Sequence, residues 1–182
     1  MKFLFSLFSL LRLNFSMLTS HELFGFMTPA LAEKILEHAY ADHKELYRAS
    51  LGAVAEARKL RPQFFERKPR AERHAEMIAM FAKPRLELIA ANLIREWLMK
   101  KHVPMLVDFL ETLGIPHKDG TVEDLPESVE DEKLRAAVEK LLSKYPPEEV
   151  AVYLNAFYSM NEVRWANLEV MLREEPRLQF GG

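Results

Sequence analysis

The residues best able to move protons or hold a metal are six histidines, His21, His38, His43, His74, His102 and His117. His43 and His74 fall on apolar helical stripes, with Glu37, Glu45, Glu72 and Glu76 close to them in sequence. Helical bundles build carboxylate–histidine metal sites from facing helices, commonly with Glu three residues before His so that both project from one face. The residues three before each histidine here are Leu18, Ile35, Tyr40, Ala71, Met99 and Gly114, none of them Glu. His38 and His43 are five apart, which splits them across faces, and the His-Glu-x-x-His zinc signature is absent. The spacing therefore predicts no metal site and no cofactor. His43, His74 and Glu76 stand as acid–base candidates, against the plainer expectation of core histidines hydrogen-bonded to neighbours.

A second constellation is basic. Arg58, Lys59, Arg61, Arg67, Lys68, Arg70 and Arg73 follow one another with Phe64 and Phe65 in their midst and Glu66 and Glu72 diluting the charge. Guanidinium groups suit phosphate and carboxylate recognition. Basic residues interleaved with aromatics also bind single-stranded nucleic acid by stacking. The alternative is that Phe64 and Phe65 plug the core, while the charges are solvated or pair with the acidic segment around Glu123, Asp124, Glu127, Glu130, Asp131 and Glu132. A third group, Trp97, Asn161 and Trp165 with Asn155, Tyr153 and Tyr158, places polar groups beside large aromatics. Such residues can line a ligand pocket between helices, but more often complete a core with each polar atom satisfied. The nine methionines can fill core gaps or line adaptable grooves.

The elements that must position these groups are helical. Leu and Ala together number 46, against 19 for Val, Ile and Thr, a balance favouring helices over strands. Thr19 and Glu22 form a capping box. Thr28-Pro29 opens a long helix predicted to reach Leu60, with Leu36, Tyr40, His43, Tyr47, Leu51 and Val54 on one stripe. Residues 62–69 read as a basic connector. Helices follow from about Pro69 to Lys83, from Pro84, and from Pro104 to Leu113, where Gly114 supplies a left-handed cap. Residues 114–127 form a loop. Ser128 and Asp131 resemble a looser capping box, Pro146-Pro147 forces a turn, and a last helix runs to about Glu175. The prediction is an all-α irregular bundle of six to seven helices, mostly antiparallel neighbours. Its C-terminal helical hairpin, 129–175, is expected to lie against 29–60.

Residues 1–18 stand apart, a Lys2-led apolar run interrupted by Arg12. They read as a tail, as the region before a start at Met17, as a signal peptide, or as an amphipathic membrane-surface helix. Residues 19–176 are expected to form one domain and 177–182 a tail. The chain has no cysteine and a formal charge of −2. That excludes disulfides and thiolate chemistry, fits a reducing, cytoplasmic setting, and predicts no global attraction to nucleic acid. Walker, Rossmann and Gly-x-Ser-x-Gly patterns are missing. Gly181-Gly182 suggests no ubiquitin-like tail without a β-grasp fold.

These features point to a non-enzymatic protein-interaction module that meets an acidic partner through 58–73. The alternative is an enzyme or ligand binder with a pocket between helices, using His43, His74, Glu76 and Trp97. A further alternative is a membrane-surface or secreted role through residues 1–18. Self-association is left open by the sequence.

Overall fold

The computed structural model describes residues 17–180; the readings of residues 1–16, and of Gly181-Gly182, lie outside the described residues. Ten α-helices and two 3₁₀ turns occur among the described residues, with no strand beyond one isolated bridge. The protein is all-α.

The helix starts follow their local chemistry. Helix α1 (Ser20–Phe26) begins after Thr19, whose N–H donates to Glu22 Oε2 at 2.8 Å. Its next two amides are held from afar: Glu87 accepts from the N–H groups of Ser20 and His21 at 3.0 and 2.8 Å. Helix α2 (Pro29–Asp42) opens on Thr28, whose hydroxyl accepts from Leu31 N–H at 3.3 Å.

The predicted single helix 29–60 is instead two. At His43 the backbone leaves helical space (φ −138°, ψ 69°), and α3 (Lys44–Ala57) starts afresh. The imidazole Nδ1 of His43 accepts the N–H of Leu46 at 3.2 Å and serves as the N-cap of α3. A side chain folded back onto its own backbone cannot also face the core, so His43 drops out of the apolar stripe that carried its candidacy.

The connector 62–69 contains a short helix, α4 (Pro62–Glu66), which turns Phe65 inward. Helix α5 (Arg70–Phe81) follows, then a 3₁₀ turn leading into α6 (Glu87–Lys101) and α7 (Val103–Leu113). Helix α7 ends at Gly114 with φ +71°, the predicted left-handed cap. In the loop beyond, Lys118 and Thr121 exchange backbone hydrogen bonds of 2.8 and 2.9 Å around Asp119 (φ 50°) and Gly120 (φ 79°). This is the turn that Asp-Gly favours.

Helix α8 (Asp131–Lys144) begins three residues after Ser128, with Glu130 at its cap position and no side-chain cap. The predicted last helix also divides, into α9 (Pro147–Met160) and α10 (Ala166–Glu174). Asn161 Nδ2 donates to Phe157 O at 2.7 Å and closes α9. Trp165 caps α10 in extended conformation. A 3₁₀ turn, Pro176–Leu178, packs on α9 and buries Leu178, so the segment read as a tail from 177 is packed to that point.

All ten helices contribute to one hydrophobic cluster. Helix α6 meets α1, α2, α3, α5, α7 and α9, while α8 lies along α7. The C-terminal helices therefore pack chiefly on α6 and α7 rather than on 29–57. Helix α2 reaches α9 through Thr28–Glu148 and Lys34–Glu149 at their N-terminal ends. No helix of the described residues is long and apolar enough to cross a membrane.

Candidate functional site

Helix periodicity places Glu33, Glu37 and Tyr40 on one face of α2, at offsets of four and three. Arg70, Arg73 and His74 share a face of α5 by the same rule. Where these faces meet α3, a continuous polar network forms around His74, which is fully buried. Its Nδ1 lies 2.8 Å from Glu33 Oε1 and 3.6 Å from Glu37 Oε1. Its Nε2 lies 3.1 Å from the Tyr47 hydroxyl.

Arg73 Nε donates to the same hydroxyl at 2.9 Å, and Arg73 Nη1 donates to the backbone carbonyls of Glu66 (2.7 Å) and Lys68 (3.3 Å). A guanidinium only donates, so the Tyr47 proton is free to point at His74 Nε2. The polarity that satisfies every neutral member runs from Arg73 through Tyr47 to His74, and from His74 Nδ1–H to Glu33. Burial pushes the Tyr47 phenol above its usual pKa, against the opposing pull of Arg73. The hydroxyl therefore stays protonated at neutral pH and can donate.

The rings reinforce this alignment. Tyr40 stands edge-on to Tyr47 at 5.0 Å and to His74 at 5.8 Å. Arg70 lies over Tyr40, 5.2 Å from its centroid, and pairs with Glu37 at 3.3 Å.

Tyr47 also lines an open cleft of about 570 Å³ between α2, α3 and α5, with Tyr40, Lys44, Arg48, Leu51, Glu66 and Arg73 among its walls. Among the described residues, no carboxylate lies within ion-pair distance of Lys44, Arg48 or Arg73. The cleft thus gathers three cations against the single carboxylate of Glu66. A phenol that donates to a buried imidazole, itself held by a carboxylate, stands in its wall.

The other sequence candidates fall elsewhere. Glu76 accepts ion pairs from Arg58 and Lys68, which hold its carboxyl below the usual range, with the Lys68 hydrogen bond the largest cause. Glu76 is therefore a partner of the basic stretch, not of His74. The basic residues are answered within their own neighbourhood: Arg58 by Glu76, Lys68 by Glu72 and Glu76, Arg70 by Glu37. The expected pairing with the acidic segment 123–132 does not occur, because acids on α2 and α5 lie closer. Lys59, Arg61 and Arg67 remain on the surface.

Phe65 is fully buried, whereas Phe64 is 60% exposed beneath Arg67. Trp97 is buried and lies 4.1 Å from the His102 ring. Trp165 is buried and donates its indole N–H to Pro126 O at 2.8 Å, and Asn161 is spent on capping α9. These three complete the core and helix ends and line no part of the cleft.

Sequence reasoning missed Glu33, Lys44, Tyr47 and Arg48 as site residues. The one available signal for Glu33 was its spacing of four from Glu37 on a helix whose opposite face is apolar. Comparison with family models, with curated proteins and with solved structures finds no match to this chain.

Proposed function

We propose that the protein binds a small anion, a carboxylate or phosphate ester, in the cleft between α2, α3 and α5. One observation carries this reading: Lys44, Arg48 and Arg73 converge on the cleft without carboxylate partners, while Arg58, Lys68 and Arg70 nearby are each paired. Unanswered charge in a concave, partly apolar setting focuses potential and attracts counter-ions. Arg73 is fixed by two backbone carbonyls and Tyr47, so little of its freedom remains to be lost on binding. Tyr40, 37% exposed, offers a ring edge to an aromatic or planar ligand, and Tyr47, tied to His74, holds Arg73 in place beside it.

Calorimetric titration with phenyl phosphate, benzoate and pyrophosphate at about 50 mM salt tests the proposal, since screening weakens exposed charge attraction at higher salt. The expected result is saturable 1:1 binding of at least one probe, weakened about tenfold or more in Lys44→Ala/Arg48→Ala, the equivalent of about 1.4 kcal/mol. Absence of binding, or equal affinity in the double variant, refutes it.

A second reading, a protein-interaction surface, is favoured by Phe64 and Leu60, which are 60% and 40% exposed beside Arg61 and Arg67. Its test is affinity purification of the full chain from its host beside Phe64→Ser: loss of co-purifying proteins supports it, and identical sets refute it. A cytoplasmic setting is part of both readings and is supported by the absence of cysteine.

A further inference from the structure

The donor atoms of Glu33, Glu37 and His74 all lie within 4.8 Å of one another. Zinc-type ions hold nitrogen and oxygen donors at about 2.0–2.2 Å, which puts tetrahedral donors about 3.4 Å apart. The Nδ1 distances of 2.8 and 3.6 Å to the two carboxylates straddle that spacing, so small side-chain rotations suffice to admit an ion. The carboxylates sit four residues apart on the same face of α2, and the imidazole comes from α5, so the donors are fixed by two packed helices.

The second ring nitrogen is already anchored. Metal-bound histidines characteristically hold their outer N–H on a further partner, which fixes the ring. Here that partner is Tyr47, at 3.1 Å from Nε2. Glu33 and Glu37, at 42% and 35% side-chain exposure, form the open side through which an ion and its waters would enter.

We infer that Glu33, Glu37 and His74 form a binding site for a first-row divalent transition metal such as zinc. One neutral nitrogen and two carboxylates suit that class, and three protein donors leave positions for water or ligand. Binding at Nδ1 requires the other neutral tautomer: the single imidazole proton leaves Nδ1 and one is taken up at Nε2, from which it donates to the Tyr47 oxygen, with no net change in the protons on the ring. The Tyr47 proton then turns from His74 toward the cleft. The inference rests on the carboxylate–imidazole geometry and stands whether or not the cleft binds an anion.

The test is titration of the chelator-treated full chain with Zn²⁺ by calorimetry and with Co²⁺ by visible absorption. One equivalent is expected, with cobalt bands of an imidazole–carboxylate site. Loss of a direct donor should weaken binding by about 100-fold or more, beyond the 10–100-fold seen for outer partners. Because His74→Gln opens the core, Glu33→Gln and Glu37→Gln, on the surface side, are the primary variants. Arg70→Gln removes a cation from Glu37 and should tighten binding. Lys44→Ala/Arg48→Ala should leave it unchanged, which separates this result from the anion reading. Failure of either metal to saturate, binding that survives both Glu variants, or displacement of cobalt by an equal concentration of Mg²⁺ overturns the assignment.

Discussion

Asp108 offers a quantitative test of how α7 is tied to α8. Its carboxylate accepts from Lys144 Nζ and Tyr145 Oη, each at 2.6 Å, and pairs with Lys140 at 3.1 Å, with the side chain only 13% exposed. Burial alone would push the Asp108 pKa up. The hydrogen bonds from Lys144, Tyr145 and Lys140 outweigh it and bring the value down to about 2 from 3.8. Burial and the same carboxylate push the Tyr145 phenol up to about 12; this is the other side of one interaction and is not counted twice.

A shift of nearly two units corresponds to roughly 2 kcal/mol of stability. Because the folded pKa is the depressed one, that contribution is whole above about pH 5 and is lost as the pH falls through 4 toward 2. Asp108→Asn should therefore destabilise the protein by at most about 2 kcal/mol at pH 7, or about 4–8 °C in Tm for a chain of this size. The gap to the parent protein should close toward pH 2. Urea unfolding of both proteins from pH 7 to pH 2 measures it. Other carboxylates titrate in both chains and cancel in the difference. A gap that stays constant down to pH 2 would refute the assignment of this stability to the ionised carboxylate.

Three further outcomes are expected. Trp165→Ala should cost about 3–5 kcal/mol, because it empties a buried indole site against Phe157 and strands the Pro126 carbonyl; a loss under about 1 kcal/mol in chemical denaturation would place the ring at the surface. Tyr47→Phe should cost about 1–3 kcal/mol by leaving His74 Nε2 buried without a partner, and equal stability in urea would mean another group satisfies it. Gly120→Ala should lower Tm by several degrees, since it combines a φ of +79° with a Cβ placed 2.8 Å from Leu106 Cβ; an unchanged Tm would show that the turn rearranges freely.

The parts of this fold readable in advance are those set by neighbours in the chain. Thr19 with Glu22, Thr28 with Pro29, and Gly114 act on backbone groups within four residues, and each marks a helix end as expected. The interruptions at His43 and at 161–165 carry no proline or glycine. The periodic stripe runs straight through His43, and only the imidazole's turn onto Leu46 N–H reveals the break. Phe64 and Phe65 are indistinguishable in sequence, and the direction of a five-residue helix decides which is buried. The candidate site is less legible still. His74 was visible as a polar residue on an apolar face, but its partners Glu33 and Tyr47 lie 41 and 27 positions away. Pairings of that span depend on how α2, α3 and α5 pack, and no local pattern encodes them.

The grip of Glu87 on the start of α1 reverses the order of construction. Seven residues are too few to hold a helix unaided, and the carboxylate that secures the Ser20 amide is made 67 positions later. At about 5–20 residues per second, the ribosome delivers it roughly 3–13 seconds after Ser20 itself. The first helix of the described residues therefore gains its partner at Ser20 and His21 only once the start of α6 has been made.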